Sequence, residues 1–169
     1  SNTTTSFGLA KRKRILRAVD VPTAKLRGIP FNARYISGAA LSSVVPAATK
    51  KMLRWLPVRP LIVSPDIDLG IGVRYPNRKQ IGADRLCNAV GVAELYGAPA
   101  IVVDFGTAVT FDIINARREY IGGVIAPGLA AMTDYLYHRT ALLPHISLRE
   151  PRSVVGKSSV EAMRVGAVV

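Results

Sequence analysis

Three short stretches of this chain carry residue types that could do chemistry together. In the first, Tyr75 precedes Gly82, Ala83, Asp84 and Arg85. A carboxylate such as Asp84 can take the proton of a primary alcohol during phosphoryl transfer. A neighbouring guanidinium can hold an anion through a fork of N–H bonds, and an aromatic hydroxyl can orient the rest of a ligand. In the second stretch, Ile101–Asp112, Asp104 stands beside a bend at Phe105-Gly106-Thr107, with Thr110 just beyond. Amide and hydroxyl donors at such a turn can cradle a phosphate while the carboxylate faces a cation. The third, Tyr120–Gly128, holds Gly122, Gly123 and Gly128, where backbone can approach a ligand or another strand closely. Each pattern also has a plain alternative. Asp84 could simply be the N-cap of a helix running to Tyr96, Asp104 and Thr107 could only satisfy a hairpin turn, and the glycines could mark a tight strand exit.

These residues need elements to hold them. Thr5–Ala10 and Ile15–Val21 read as strands joined by a turn at Lys11-Arg12-Lys13-Arg14. Gly38–Val45 reads as a buried strand, followed by a helix from Pro46 to about Leu56 with Ala47, Met52 and Trp55 inside, and then a strand at Leu61–Ser64. The helix after Asp84 offers Leu86, Val90, Ala93 and Leu95 to a core. Ile101–Val103 forms an apolar β-branched run suited to a buried strand, and Val109–Ile114 returns from the bend. Leu129–Tyr137 predicts a helix with Met132, Tyr135 and Leu136 inside, and Val160–Val169 a short one capped by Ser158 or Ser159. The βαβ rhythm argues for a layered α/β fold.

Composition narrows the class. The chain has 169 residues, nearly half of them apolar, enough for one domain or two small ones. No apolar run reaches the roughly 18 residues of a membrane span. Cys87 is the only cysteine, which excludes an intrachain disulfide and suggests a reducing compartment; its place after Leu86 reads as a buried, inert thiol. Two histidines, His138 and His145, show no ligand spacing, and His145 has no visible partner. The net charge of +12 suits attraction of anionic substrates. It is scattered, without the interleaved aromatics of a nucleic-acid surface, so the sequence argues against a nucleic-acid partner.

Taken together, YPNRKQIGADR, DFGTAVTFD and YIGGVIAPG resemble the type III pantothenate kinases, of the actin/hexokinase-like ATPase superfamily. The resemblance implies a two-lobed actin/hexokinase-like (ribonuclease H-like) α/β fold, truncated at both ends and compressed at Ala24–Ser37. The lobes would cover residues 1–83 and 84–169. It implies ATP-dependent phosphorylation of pantothenate to 4′-phosphopantothenate, the first step towards coenzyme A, in a cytoplasmic homodimer. Asp84 matches the catalytic base. Arg85 matches the residue that binds the pantothenate carboxylate, and Tyr75, Gly82, Ala83 and Ser159 match other substrate positions. Asn2, Thr3, Thr4 and Thr5 stand for the first phosphate loop, whose Mg²⁺-binding Asp is absent, and Thr107 for the second. Asp104 matches a K⁺ or NH₄⁺ ligand, and Mg²⁺ would accompany ATP. Gly106, Gly122, Gly123 and Gly128 line the implied cleft, whereas Asp112 takes no implied role. Two alternatives stay open: a non-catalytic relative of the Bvg accessory factor type, and another small-molecule kinase of the superfamily.

Overall fold

The computed structural model describes residues 3–12 and 14–169. The chain opens with an antiparallel hairpin of β1 (Thr4–Lys11) and β2 (Arg14–Pro22), in which Thr4 faces Pro22 and Lys11 faces Arg14. Arg12 adopts a left-handed φ of 56° in the basic turn, and Lys13 lies outside the described residues. Residues 24–37 hold the 3-10 turn Ala33–Tyr35 and the end of another, Thr23–Lys25.

The next unit is a short βαβ. Strands β3 (Ala40–Leu41) and β4 (Leu61–Ile62) pair in parallel around helix α1 (Pro46–Trp55). The buried strand expected at Gly38–Val45 is thus only two residues long. Ala40 is exposed, as is Val44. One cause is local: the Ser43 hydroxyl accepts from the Val45 N–H at 3.1 Å, a side-chain turn that competes with a ladder. Proline at the first position of α1 fits the helix start. Its inner face is Ala48, Met52 and half-buried Trp55, so Ala47 points outward, contrary to expectation. Ala48 and Met52 pack with Leu26, and Phe7 and Val21 of the hairpin close over that cluster.

The larger sheet has the order β5-β8-β7-β6, from β5 (Gly72–Val73), β6 (Ala100–Phe105), β7 (Ala108–Ile114) and β8 (Glu119–Pro127). Only the β5–β8 pair is parallel. Helix α2 (Ala83–Leu95) packs on β6 and β7 through Leu86, Ala89 and Ala93. Leu86 and Ala89 join Ile81, Ile114 and Tyr120 in the main core. Three expectations fail here for geometric reasons. Leu95, expected inside, is 77% exposed, because two residues past Ala93 is about 200° around a helix. Cys87, one position past Leu86, is exposed rather than buried. In β6, Ile101 and Val103 are exposed and only Val102 packs towards the core, since α2 covers one face of this edge strand.

Helix α3 (Leu129–Arg139) packs against α4 (Ser159–Val168). Thr133 is buried on α3, while Met132 and Tyr135 are exposed rather than inside; the Arg139 guanidinium lies 5.8 Å over the Tyr135 ring. His145 has neighbours after all: its Nε2 is 3.5 Å from Asp134, and its ring meets Tyr137 edge-on. Ser158 caps α4 by accepting from the Glu161 N–H, while Glu161 accepts from the Lys157 N–H. The architecture is mixed α/β, and no described helix is long and apolar enough to cross a membrane.

Candidate active site

The start of α2 and the middle of β7 and β8 come together around one buried carboxylate. Gly82 is the N-cap of α2 and contributes no side chain to the cap; Asp84 sits in the first helical turn, not at the cap as the sequence suggested. Asp84 is exposed, and its Oδ1 accepts from the Arg85 N–H at 2.9 Å. Arg85 turns inward. Its Nε donates to Asp112 Oδ1 at 2.6 Å, its Nη2 donates to the Phe111 carbonyl at 3.3 Å, and its guanidinium stands 5.7 Å over the Tyr120 ring. Asp112 is fully buried. Asn88 Nδ2 donates to its Oδ2 at 3.2 Å, and the Tyr120 hydroxyl donates to its Oδ1 at 3.4 Å. A buried charge without such partners would be costly; here both oxygens are satisfied.

Tyr75, just after β5, joins this group. Its ring lies 6.2 Å from that of Tyr120, and a Cβ on Gly122 would stand 3.4 Å from Tyr75 Cε2. Gly122 has a φ of +115°, which a side chain rarely tolerates. A Cβ on Gly123 would lie 2.7 Å from Arg85 Nη2 and run into the Phe111 carbonyl oxygen. The glycine pair therefore lets β8 pass close to both Tyr75 and Arg85.

Burial pushes the Tyr120 hydroxyl up to about 12; Arg85 opposes the shift, and the Asp112 carboxylate adds to it. Its folded value lies above the unfolded value of 10, so the stabilisation is complete below about pH 10 and is lost as pH rises towards 12. We expect on the order of 2–3 kcal/mol to disappear across that window. Denaturant midpoints of the wild type and Tyr120→Phe, measured from pH 9 upward, check this. Equal slopes for the two would refute it.

The second predicted stretch folds as a hairpin, with Asp104 opposite Thr110 in the β6–β7 register. The Gly106 N–H is occupied within the turn by the Ala108 carbonyl at 3.0 Å. Gly128 N–H donates to the Thr107 carbonyl at 3.1 Å, and a Cβ there would lie 2.5 Å from that oxygen. The N-terminus of α3 thus abuts the Gly106–Thr107 turn. Asp104 and Thr107 are exposed. Asp104 thus presents a single exposed carboxylate at this hairpin, with Thr110 as its cross-strand partner. Among the described residues no three His, Cys, Asp or Glu side chains cluster, so a dedicated all-protein Mg²⁺ site does not fit them.

The remaining predicted residues lie elsewhere. Asn2 is outside the described residues. Thr3 accepts a backbone bond from Thr23, Thr4 opens β1, and the Thr5 and Thr23 hydroxyls are 3.1 Å apart. Thr4 and Thr5 lie in β1 and Thr3 just before it, whereas Thr107 lies in the turn between β6 and β7 of the four-stranded sheet. Thr5 also lines a pocket of about 630 Å³ between β1, the 29–45 segment and α1. Ser159 opens α4 and lines a separate groove of about 380 Å³ between α3 and α4; Tyr75, Asp84 and Arg85 are not in its lining.

With this geometry in place, the family model described as type III pantothenate kinase matches residues 1–169, the whole chain. The chain belongs to the type III pantothenate kinase family. It is 50% identical over 175 residues to a type III pantothenate kinase of Akkermansia muciniphila, covering 99% of this chain and 72% of that protein. It is 42% identical to one of Methylacidiphilum infernorum, covering 99% of this chain and 64% of the relative. For one of Halalkalibacterium halodurans the figures are 46% identity, 78% of this chain and 53% of the relative. The chain thus spans about half to three quarters of the length of these relatives. In overall fold it is similar, at a TM-score of 0.60 and 16% identity, to a crystal structure described as a Baf family transcriptional activator from Campylobacter jejuni; the match covers 98% of this chain and 69% of that one.

For this member of the type III pantothenate kinase family, the residue that sequence reasoning left without a role is Asp112. A signal was present. Asp112 is an acidic residue inside an apolar run, FDII, that alternates on a strand, and a charge there must find a partner or cost stability.

Proposed function

We propose that this chain carries out ATP-dependent phosphorylation of pantothenate to 4′-phosphopantothenate. The observation that carries the reading is the start of α2, where an exposed Asp84 adjoins an Arg85 that is already held in one orientation by Asp112 and over the ring of Tyr120. Asp84 accepts the proton of the pantothenate hydroxyl. The oxygen attacks the γ-phosphorus of ATP, the bond from that phosphorus to the β–γ bridging oxygen breaks, and ADP leaves. Arg85 takes the pantothenate carboxylate through its remaining N–H donors. Tyr75, Gly82, Ala83 and Ser159 complete the substrate pocket. Thr107, at the turn that abuts the N-terminus of α3, receives phosphate oxygens, a setting that suits anions. Thr3, Thr4 and Thr5, with Asn2, serve the phosphates from the other side. A K⁺ or NH₄⁺ at Asp104 would add positive charge near the phosphates, and Mg²⁺ enters with ATP. Gly122 and Gly123 let β8 pass close to Tyr75 and Arg85, and Gly128 lets the start of α3 sit against the Gly106–Thr107 turn. The same reading places the molecule in the cytoplasm as a homodimer, with two actin-like lobes over residues 1–83 and 84–169.

The test is direct. Incubation of the purified protein with ATP, Mg²⁺, K⁺ and pantothenate should yield a phosphorylated product by mass spectrometry, faster with K⁺ than with Na⁺. ATP consumption without phosphopantothenate, or no turnover in either salt, would overturn the reading.

A further inference from the structure

We propose that Asp112 is a positioning residue: it locks the Arg85 guanidinium so that its free end recognises the carboxylate of an anionic substrate. This rests on the pantothenate reading above. Asp112 is completely buried and carries no function in that reading. Both of its oxygens are engaged, Oδ1 by Arg85 Nε and by the Tyr120 hydroxyl, Oδ2 by Asn88. On the other side, Arg85 Nη2 is tied to the Phe111 carbonyl. The Nε and Nη2 edge of the fork is therefore occupied by the protein. The Nη1 end is left for a ligand carboxylate, and the guanidinium plane is fixed before that ligand arrives. Prior orientation lowers the ordering cost of binding.

A second effect opposes the first. Asp112 is itself an anion behind the guanidinium, so its charge weakens the pull on another anion. Asp112→Asn removes charge and anchoring together. Asn88→Ala keeps the charge and removes only an anchor of the carboxylate, so it isolates orientation.

The experiment is calorimetric binding of pantothenate and of its neutral alcohol analogue to the full protein, without nucleotide. Thermal melts accompany it to identify variants that fold. Wild-type protein should prefer pantothenate. Asp112→Asn should weaken pantothenate by about tenfold or more, and Asn88→Ala by a smaller factor. Affinity for the alcohol should stay within about twofold in both. Pantothenate affinity that is unchanged or improved in Asn88→Ala overturns the proposal, because orientation then contributes nothing. Equal losses for the two ligands also overturn it, since they mark general damage to the pocket. Turnover is measured separately. Wild-type protein that binds pantothenate selectively but transfers no phosphate refutes the kinase reading, while the binding comparison still decides the role of Asp112.

Discussion

Asp84→Asn should lower kcat by about 10²–10⁴-fold while pantothenate binding and the melting temperature stay close to wild type. The structure explains why those properties separate. Asp84 is exposed in the first turn of α2, and its described hydrogen bond is the one accepted from the Arg85 N–H. An asparagine carbonyl can accept the same bond. The lost charge at a helix N-terminus costs about 0.3–1 kcal/mol, too little to unfold the domain. What asparagine cannot do is accept the hydroxyl proton as oxygen–phosphorus bonding develops. The measurement is steady-state kcat and KM with pantothenate, alongside a thermal melt. Unchanged turnover in a folded variant would remove Asp84 as the base.

Gly123→Ala should be among the most damaging conservative changes in the chain. Gly123 faces Asp112 across the β7–β8 ladder. An added Cβ would collide with the Phe111 carbonyl oxygen, lie 2.8 Å from its carbon and stand 2.7 Å from Arg85 Nη2. The obstacle is mostly backbone within a paired strand, so it cannot rotate aside as a side-chain tip would. The strands must part there, and Arg85 must shift away from the added methyl as well. Overpacking of this kind costs about 3 kcal/mol at the upper end of its usual range. For a chain of this size that is a fall in Tm of roughly 6–12 °C. Displacement of Arg85 should also raise the KM for pantothenate. Gly91→Ala is the matched control. Gly91 is inside α2 with nothing within 4 Å of an added Cβ, and alanine there should stabilise by about 0.5–1 kcal/mol. A Gly123→Ala melt no lower than wild type would show that the ladder relaxes freely around the methyl group.

The sequence by itself determined several turns, helix starts and the motif positions. The basic turn between β1 and β2, proline at the start of α1, the Gly106–Thr107 bend and the Ser158 cap are all set by residues within a few positions of one another, so their signals survive in one dimension. The same holds for the family, whose three motifs lie on separate elements yet are legible as strings. Which faces become buried was decided only by the tertiary structure. Leu95, Cys87, Ile101 and Tyr135 are apolar or thiol-bearing residues that the sequence could not place, because burial depends on where α2 and α4 dock. The ion pair between Arg85 and Asp112 joins residues on α2 and β7 and forms because the helix lies across that strand. Read as a string, Arg85 is a solvated or ligand-binding charge, and Asp112 is an oddity in a strand. Folded, they are partners, because a buried carboxylate in a low-dielectric core is stable only with a cation and donors packed against it.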